Sequence, residues 1–127
     1  MGVSYLPNVA DTRNSPSVDL IKNLIEAGAQ VTVHDPVVRQ WPGKDGIVIR
    51  SDLPVCLKGA DGVVFVVAHD VYRRMFANNF VRYFSAKPFI VDAQNIITDE
   101  NAKILHTTGC RLSGVGKGHW LKLGYHK

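Results

Sequence analysis

The sequence predicts an α/β fold, a three-layer Rossmann-like sandwich with a mostly parallel sheet. Short apolar stretches alternate with amphipathic segments, the order expected of strands joined by crossover helices. Residues 62–67 form a nearly continuous apolar run, typical of a strand that is covered on both faces. We therefore expect the strand Val63–Val67 at the centre of the sheet.

The first helix is predicted by apolar residues that recur at helical spacing between Val18 and Ile25. Ser15-Pro16 precedes it, and Gly28 supplies a C-terminal stop. A serine hydroxyl caps the free amides of a first turn, and proline suits the first helical position because its missing N–H costs nothing there. Strands are then predicted at 31–33 and 47–49.

The second half of the chain continues the alternation. Asp70 is a natural N-cap for the helical stretch that follows the apolar strand. The predicted elements are a short helix at 52–58, the strand at 62–67, two helical pieces within 71–84, a strand at 89–91, a helix at 98–106 and a last strand at 111–113.

Length and composition limit the class of protein. The chain has 127 residues, enough for one domain with a single core. Its net charge of +4 is thinly spread, so we expect no nucleic-acid partner; the charge serves either an anion-binding cleft or a solvated basic surface. No apolar run reaches membrane-spanning length, and we expect no membrane partner.

The two cysteines, Cys56 and Cys110, are far apart and lack metal-ligand spacing, so no metal site is expected. One falls in a predicted helix and the other just before a predicted strand. Both are interpreted as buried thiols of a reduced compartment, which predicts a cytoplasmic protein.

Right-handed crossovers place the C-terminal ends of parallel strands at one edge of the sheet, here called the carboxyl edge. Ligands of open α/β sheets bind at this edge. Five predicted loops meet there: Leu6–Arg13, His34–Pro36, Ala68–Asp70, Asp92–Asn95 and Gly114–Gly118.

The first of these loops holds Asn8, Asp11 and Arg13. It leads from a strand end into a helix N-terminus, an arrangement that binds phosphate or carboxylate. Asp11 and Arg13 either pair with each other or leave Arg13 free for a phosphate. Asn8 follows a proline and is interpreted either as a ligand contact or as a turn former.

Two further loops carry polar side chains. His69-Asp70 suggests acid–base chemistry, or a histidine that only hydrogen-bonds the loop. Gln94 and Asn95 follow a strand and can reach a base, ribose or sugar, although Asn95 can equally cap a turn. No nucleophile with a supporting base is visible, so the residues alone indicate an anion- or nucleotide-binding domain without chemistry.

The glycine-rich segment Gly114–Gly118 is not a Walker-type phosphate loop. It lacks the Gly-x-x-x-x-Gly-Lys-(Ser/Thr) spacing, and we expect it to follow the last strand without opening a helix. It also lacks the Gly-x-Gly-x-x-Gly fingerprint of a dinucleotide site. Its backbone can still approach a ligand, and Lys117 adds a charge.

Five segments, in order, resemble one family. They are Gly2–Pro16, Gly28–Pro36, Ala60–Tyr72, Asp92–Asn95 and Gly114–Gly118. Together they are similar to the C-terminal, UDP-binding domain of the UDP-glucose/GDP-mannose dehydrogenase family, and the last segment is most like members that act on UDP-N-acetylhexosamines. The resemblance implies that residues 1–127 are the nucleotide-sugar-binding part of a longer enzyme.

Members of this family oxidise the C6 hydroxyl of a nucleotide sugar to a carboxylate in two NAD-dependent steps. The resemblance implies that NAD is bound by an N-terminal domain and that a central region supplies the catalytic cysteine, so no cofactor and no catalytic residue are expected on this chain. Implied partners are a UDP-sugar, those two domains and further copies in a homo-oligomer. The implied substrate-binding residues are Tyr5, Leu6, Asn8, Arg13, Gln94, Asn95 and Lys117.

Two positions depart from the family pattern. Leu6 stands where most members have a lysine, and Gln94 where many have an arginine. Either Arg13 and Lys117 supply the missing charges, or the ligand differs or binds more weakly. The alternative function is a non-catalytic Rossmann-like module for nucleotide binding or regulation. If the chain is an excised fragment, it should expose an apolar patch near its N-terminus.

Overall fold

The computed structural model describes the whole chain, Met1–Lys127, and it confirms the predicted α/β fold. All strand pairs are parallel, and none of the helices is long and apolar enough to cross a membrane. The helices are α1 Ser17–Glu26, α2 Leu53–Leu57, α3 Asp70–Ala77, α4 Asp99–Thr107 and α5 Gly118–Lys122, with a 3₁₀ helix at Phe80–Phe84. The strands are β1 Val33–His34, β2 Ile49–Arg50, β3 Gly62–Phe65, β4 Phe89–Asp92 and β5 Arg111–Gly114.

The strands form two ladders, β1-β2 and β3-β4-β5, which the N-terminal segment joins. The amine of Met1 donates to the carbonyl oxygen of Val64 at 2.9 Å. The Met1 carbonyl accepts from the amide of Val66 at 2.9 Å, and the Gly2 amide donates to the carbonyl of His34 at 2.8 Å. Met1 and Gly2 therefore lie between β1 and β3, where a strand of one continuous sheet would run.

The prediction that Val63–Val67 forms the central strand is wrong. β4 lies in the middle of the three-stranded ladder, and β3 lies at its edge and ends at Phe65. Met1 covers the open side of β3 with backbone hydrogen bonds, but over too short a length to form a strand.

Local signals placed most helices within a residue or two. α1 begins just after Pro16, which is the N-cap and not the first helical residue as predicted, and the Ser15 hydroxyl accepts from the amide of Ser17 at 3.3 Å. The two helical pieces within 71–84 are confirmed as α3 and the 3₁₀ helix. Asp70 is not the N-cap of α3; His69 is, because the Asp70 amide already has a side-chain acceptor in the preceding loop.

Helix α5 was not predicted, and the expectation that Gly114–Gly118 opens no helix is wrong. The helix is only five residues long and contains glycine, so propensity does not favour it. Its stability comes from Trp120, which is fully buried and donates from Nε1 to an Asp99 oxygen at 2.8 Å. A tertiary contact of this kind leaves no periodic pattern in the sequence.

The hydrophobic core forms two clusters, one beside each of the two strand ladders. A cluster of 17 buried residues surrounds β3, β4 and β5. A smaller cluster lies between α1 and β1, and it consists of Val3, Ile21, Val33, Val38 and Trp41. Cys56 and Cys110 are confirmed as buried free thiols, and burial raises the pKa of both.

Candidate functional site at the carboxyl edge

Hydrogen bonds of Asn8 hold the first loop at the carboxyl edge. Its backbone amide donates to Nδ1 of His69 at 2.8 Å, and its side-chain oxygen accepts from the amide of Asp70 at 3.0 Å. Asn8 adopts a left-handed conformation, with φ +62°, which asparagine tolerates better than most residues. The Asn8 side-chain oxygen thus serves the protein itself, in agreement with the turn-forming interpretation.

A buried polar network lies beneath this loop. Nε2 of His69 is 3.0 Å from an Asp35 carboxylate oxygen and 3.1 Å from the Ser4 hydroxyl, and all three residues are fully buried. Because Nδ1 accepts from the Asn8 amide, the proton of the ring lies on Nε2 and is directed at Asp35. The Ser4 hydroxyl donates to the carbonyl of Leu6 at 2.8 Å.

Serine, histidine and aspartate meet here without forming a catalytic triad. In a triad the nucleophile and the carboxylate bind opposite nitrogens of the ring, whereas Ser4 and Asp35 share Nε2. The other nitrogen is taken by a backbone amide. The arrangement fixes the loop and offers no acid–base function, which supports the loop-bonding interpretation of His69.

Asp35 connects three parts of the chain. Its carboxylate accepts from His69, from the amide of Val3 at 2.9 Å and from the amides of Val37 and Val38 at 2.8 Å each. Burial raises the pKa of the carboxyl, but these hydrogen bonds outweigh burial and hold the pKa of Asp35 below its ordinary value. The carboxylate is therefore ionised and structural.

Asp92 organises the loop after β4 in a similar way. Its buried carboxylate accepts from the amides of Gln94 at 3.1 Å, Ile96 at 3.0 Å and Ile97 at 2.8 Å. Gln94 and Asn95 are exposed, and Asn95 has a φ of +55°. A rigid loop therefore presents both amide side chains to solvent at the end of β4.

The two predicted cations are already engaged within the protein. Arg13 forms an exposed bidentate ion pair with Asp11, with a closest N–O distance of 2.7 Å, and these hydrogen bonds lower the pKa of Asp11 to about 2. Nζ of Lys117 donates to the carbonyl of Ile97 at 3.2 Å and lies 4.9 Å from the ring centroid of Trp120. The local pair expected as one alternative for Arg13 is present.

The predicted residues are distributed along the carboxyl edge. Tyr5 and Leu6, which are 57% and 54% exposed, precede Asn8 in the loop held at the end of β3. Gln94 and Asn95 follow β4, the neighbouring strand, and Lys117 follows β5. No hydrogen bond joins the side chains of one group to those of another. The three groups therefore share one edge of the sheet but do not form an enclosed binding site.

Sequence reasoning missed the two carboxylates that shape the edge, Asp35 and Asp92. Both stand at the end of a buried strand and before a run of turn-forming residues. A carboxylate at that position accepts amides from the turn that follows, so the pattern itself was the available signal.

A cavity of about 780 Å³ lies away from these residues. It is bounded by the residues that lead into β1 and β3, Gln30–Thr32 and Ala60–Gly62, and by the apolar face of α1. None of the predicted substrate-binding residues lines it. The cavity is therefore separate from the carboxyl edge.

The sequence model of the UDP-glucose/GDP-mannose dehydrogenase family, UDP binding domain, matches residues 1–99. That is more than three quarters of the chain, and it includes both the first loop and the loop after β4. The chain belongs to this family. The resemblance inferred from the motifs is confirmed.

The relatives that match this chain are longer proteins. UDP-N-acetyl-D-mannosamine dehydrogenase of Methanococcus maripaludis is 30% identical over 94% of the chain, and UDP-glucose 6-dehydrogenase of Rhizobium meliloti is 30% identical over 92%. The solved NDP-N-acetyl-D-galactosaminuronic acid dehydrogenase of Methanosarcina mazei Go1 has a TM-score of 0.78, 28% identity, and a match that covers 91% of the chain. The chain spans about a quarter of each of these proteins, 26%, 26% and 23% of their lengths.

The family is NAD-dependent, but the residues of this domain do not fit NAD. A dinucleotide site needs glycines between the first strand and its helix so that the backbone can approach the pyrophosphate. No glycine lies between Gly2 and Gly28. The first amides of α1 already have partners on Ser15: its hydroxyl accepts from the amide of Ser17, and its carbonyl accepts from the amide of Val18.

Proposed function

We propose that this domain binds the UDP part of a nucleotide sugar at the carboxyl edge, as one domain of an NAD-dependent UDP-sugar 6-dehydrogenase. The family match over residues 1–99 carries the proposal, because that model describes a UDP-binding domain. The named activities of the relatives, on UDP-N-acetyl-D-mannosamine and on UDP-N-acetyl-D-glucosamine, favour an N-acetylhexosamine as the sugar.

The proposed contacts use the exposed side chains of the edge. Gln94 and Asn95 offer amide groups to a base, a ribose or a sugar, and Tyr5 and Leu6 offer apolar surface. Arg13 reaches a diphosphate by exchanging its Asp11 partner for phosphate oxygens. Lys117 and the Asn8 side chain complete the proposed set, although both have partners within the domain.

In the proposed enzyme, other domains bind NAD and supply the catalytic cysteine. The whole protein is proposed to be a cytoplasmic homo-oligomer. The role of this domain is to hold the nucleotide, so that the sugar reaches the reacting groups elsewhere. On its own it should bind UDP ligands weakly and should not reduce NAD.

A second function, a regulatory nucleotide-binding module, is favoured by one observation. None of the cations along the proposed site is free, because Arg13 pairs with Asp11 and Lys117 binds a carbonyl oxygen. Calorimetric titration with UDP, UDP-N-acetylglucosamine and NAD separates the two functions. The dehydrogenase proposal expects both UDP ligands to bind more tightly than NAD; tighter binding of NAD would favour the regulatory module.

A further inference from the structure

The neighbours of His69 hold its ring in a single protonation state. Nδ1 accepts from the backbone amide of Asn8 at 2.8 Å. Nε2 lies 3.0 Å from an Asp35 carboxylate oxygen and 3.1 Å from the Ser4 hydroxyl oxygen, whose own proton is directed at the carbonyl of Leu6. Because a donor faces one nitrogen and acceptors face the other, these contacts suit the neutral ring with its proton on Nε2.

A second proton on this ring would meet the amide of Asn8. A charged histidine donates from both nitrogens, so two N–H groups would face each other where one hydrogen bond now lies. His69 is fully buried, and solvent does not reach the new N–H. The contact with Asn8 therefore requires the neutral ring, and a charged ring requires the amide to turn away.

The first loop can make this movement without unfolding the domain. Its residues 5–10 are exposed. Its second attachment, from the amide of Asp70 to the side-chain oxygen of Asn8 at 3.0 Å, is also exposed, so water can replace either partner. At the base of the loop the amide of Tyr5 donates to the carbonyl of Asp11, which keeps the two ends of the loop together.

An anion beside His69 stabilises the charged form of its ring. The buried carboxylate of Asp35 lies in direct contact with Nε2. The ring of Tyr72 packs at 5.6 Å, and burial raises the pKa of its hydroxyl, so this group stays neutral. The carboxylate of Asp70, next in the chain, is exposed. Asp35 therefore favours a second proton on His69, while the contact with the loop amide opposes it.

Two further bases lie in the same region. Burial lowers the pKa of both His34 and the amine of Met1. A charge on His34 opposes one on His69, and the Met1 amine interacts with Asp35. The thiol of Cys56 stays neutral, since burial raises its pKa. Protonation of the two bases acts on the surroundings of Asp35 as a whole, and not on the first loop alone.

We propose that His69 is a pH-dependent switch of the first loop: a second proton on its ring displaces the Asn8 amide and frees the loop from the carboxyl edge. Histidine is the side chain whose charge ordinarily changes between about pH 5 and 8. The loop carries Tyr5 and Leu6, so its release weakens the binding of a UDP-sugar. This last step rests on the proposed function, whereas the release of the loop does not.

The release of the loop is tested by NMR of the full, ¹⁵N-labelled chain between about pH 8 and 5. We expect Nδ1 of His69 to gain a proton and the protection of the Asn8 amide against exchange to fall by about tenfold or more. The amides of Val37 and Val38 are internal controls, because they bind the Asp35 oxygen that does not bind His69. Their protection should persist.

The effect on binding is tested by calorimetric titration of UDP-N-acetylglucosamine over the same range. Its diphosphate is esterified at both ends and does not titrate there, so the charge of the ligand is constant. Affinity should fall by about fivefold or more on acidification. His69→Asn places an amide oxygen near the position of Nδ1 and cannot gain a proton, so its affinity should change little. His119→Gln removes the exposed histidine that pairs with Asp99 and should keep the full fall.

Several results would overturn the switch. One is an Asn8 amide that stays fully protected over the whole range; another is equal loss of protection at Asn8 and Val38, which would show that acid opens the domain and not the loop alone. An equal fall of affinity in the natural chain and in His69→Asn would place the titrating group elsewhere. The NMR measurements need no variant, so they decide the matter even if His69→Asn is unstable. Absence of binding already at the alkaline end would contradict the proposed function and leave the amide measurements to decide the switch.

Discussion

The backbone amide of Asn8 lies 2.8 Å from Nδ1 of His69, and this hydrogen bond determines which ring nitrogen carries the proton. The proton on Nε2 then faces the buried carboxylate of Asp35 at 3.0 Å. A loop that belongs to the proposed nucleotide site is in this way held by the same histidine that donates a hydrogen bond to a buried carboxylate. Loop position and core stability are coupled through one imidazole ring.

Replacing His69 should therefore be costly. His69→Ala leaves the Asp35 carboxylate without its side-chain hydrogen-bond donor and the Asn8 amide without an acceptor. Each group left unsatisfied costs about 1–3 kcal/mol, so we expect a loss of about 3–5 kcal/mol in the free energy of unfolding. Urea denaturation measures it. The exposed His119, which pairs with Asp99, gives the matched control: His119→Ala should leave the denaturation midpoint almost unchanged. Equal losses in the two variants would contradict the coupling.

The buried N-terminus makes stability depend on pH. Burial lowers the pKa of the Met1 amine from 8.0 to about 6, so between these values the unfolded chain binds more protons than the folded chain. Stability should rise as pH increases from 6 to 8, by about 2–3 kcal/mol in total. The measurement is urea denaturation at intervals of pH across this window.

Acetylation of the Met1 amine is the control for this prediction. The acetylated chain has no ammonium group to desolvate and keeps an N–H for the Val64 carbonyl, so its stability should not change with this group over pH 6–8. Burial, and after it the charge of the Met1 ammonium group, lower the pKa of His34, so the acetylated form keeps only the burial part of any destabilisation from that ring below pH 6.5. Identical pH profiles of the two forms would contradict the burial of the amine.

Gly2 is required where the N-terminal segment passes β3. Its φ is +95°, and a β-carbon built there would lie 2.5 Å from Cβ of Val67. Gly2→Ala should destabilise the domain by about 3 kcal/mol or more, since strain and overpacking add. Gly116 also has a positive φ, +74°, but has open space around it, so Gly116→Ala should cost only about 1 kcal/mol. Comparing the midpoints of thermal unfolding of the two variants separates the cost of the steric clash at Gly2 from the cost of backbone strain alone.

Asp92 should determine the shape of the loop that carries Gln94. Asp92→Asn keeps the size of the side chain but replaces one of the two acceptor oxygens with a donor, and three amides depend on those oxygens. We expect a loss of about 2–3 kcal/mol and faster amide exchange at Ile96 and Ile97. Asp61→Asn, an exposed change just before β3, is the control and should alter neither quantity.

The sequence alone predicted the α/β class, the order of elements and the family. These follow from periodicity and from motifs that are local in the chain. The edge position of β3 could not be predicted. Apolar composition indicates that a segment is buried, but it does not show whether a full strand or only the two residues Met1 and Gly2 lie beside that segment. Helix α5 could not be predicted for a related reason: the contact between Trp120 and Asp99 that stabilises it joins residues far apart in sequence.

For the site, the sequence predicts where the loops lie but not the hydrogen bonds that hold them. Loop positions at the carboxyl edge follow from topology, and Gln94 and Asn95 are exposed there as expected. Some polar groups already have a hydrogen-bond partner within the protein. Which of them do depends on interatomic distances, which the sequence pattern does not indicate. The sequence therefore did not indicate that polar atoms of Asn8 and Lys117 bind the domain itself, and contact of these two residues with a ligand stays a prediction.

The central claim is that UDP binds at the carboxyl edge, within reach of the exposed positions Leu6 and Gln94. The most direct test is calorimetric titration of UDP into the natural chain and into the double variant Leu6→Lys/Gln94→Arg. Each new cation that meets a phosphate contributes about 1.5–3 kcal/mol, so we expect UDP affinity to rise at least about tenfold while NAD affinity stays unchanged. The control Leu6→Met/Gln94→Met should show no gain. An unchanged UDP affinity in the charged variant, or an equal gain for NAD, would contradict the claim.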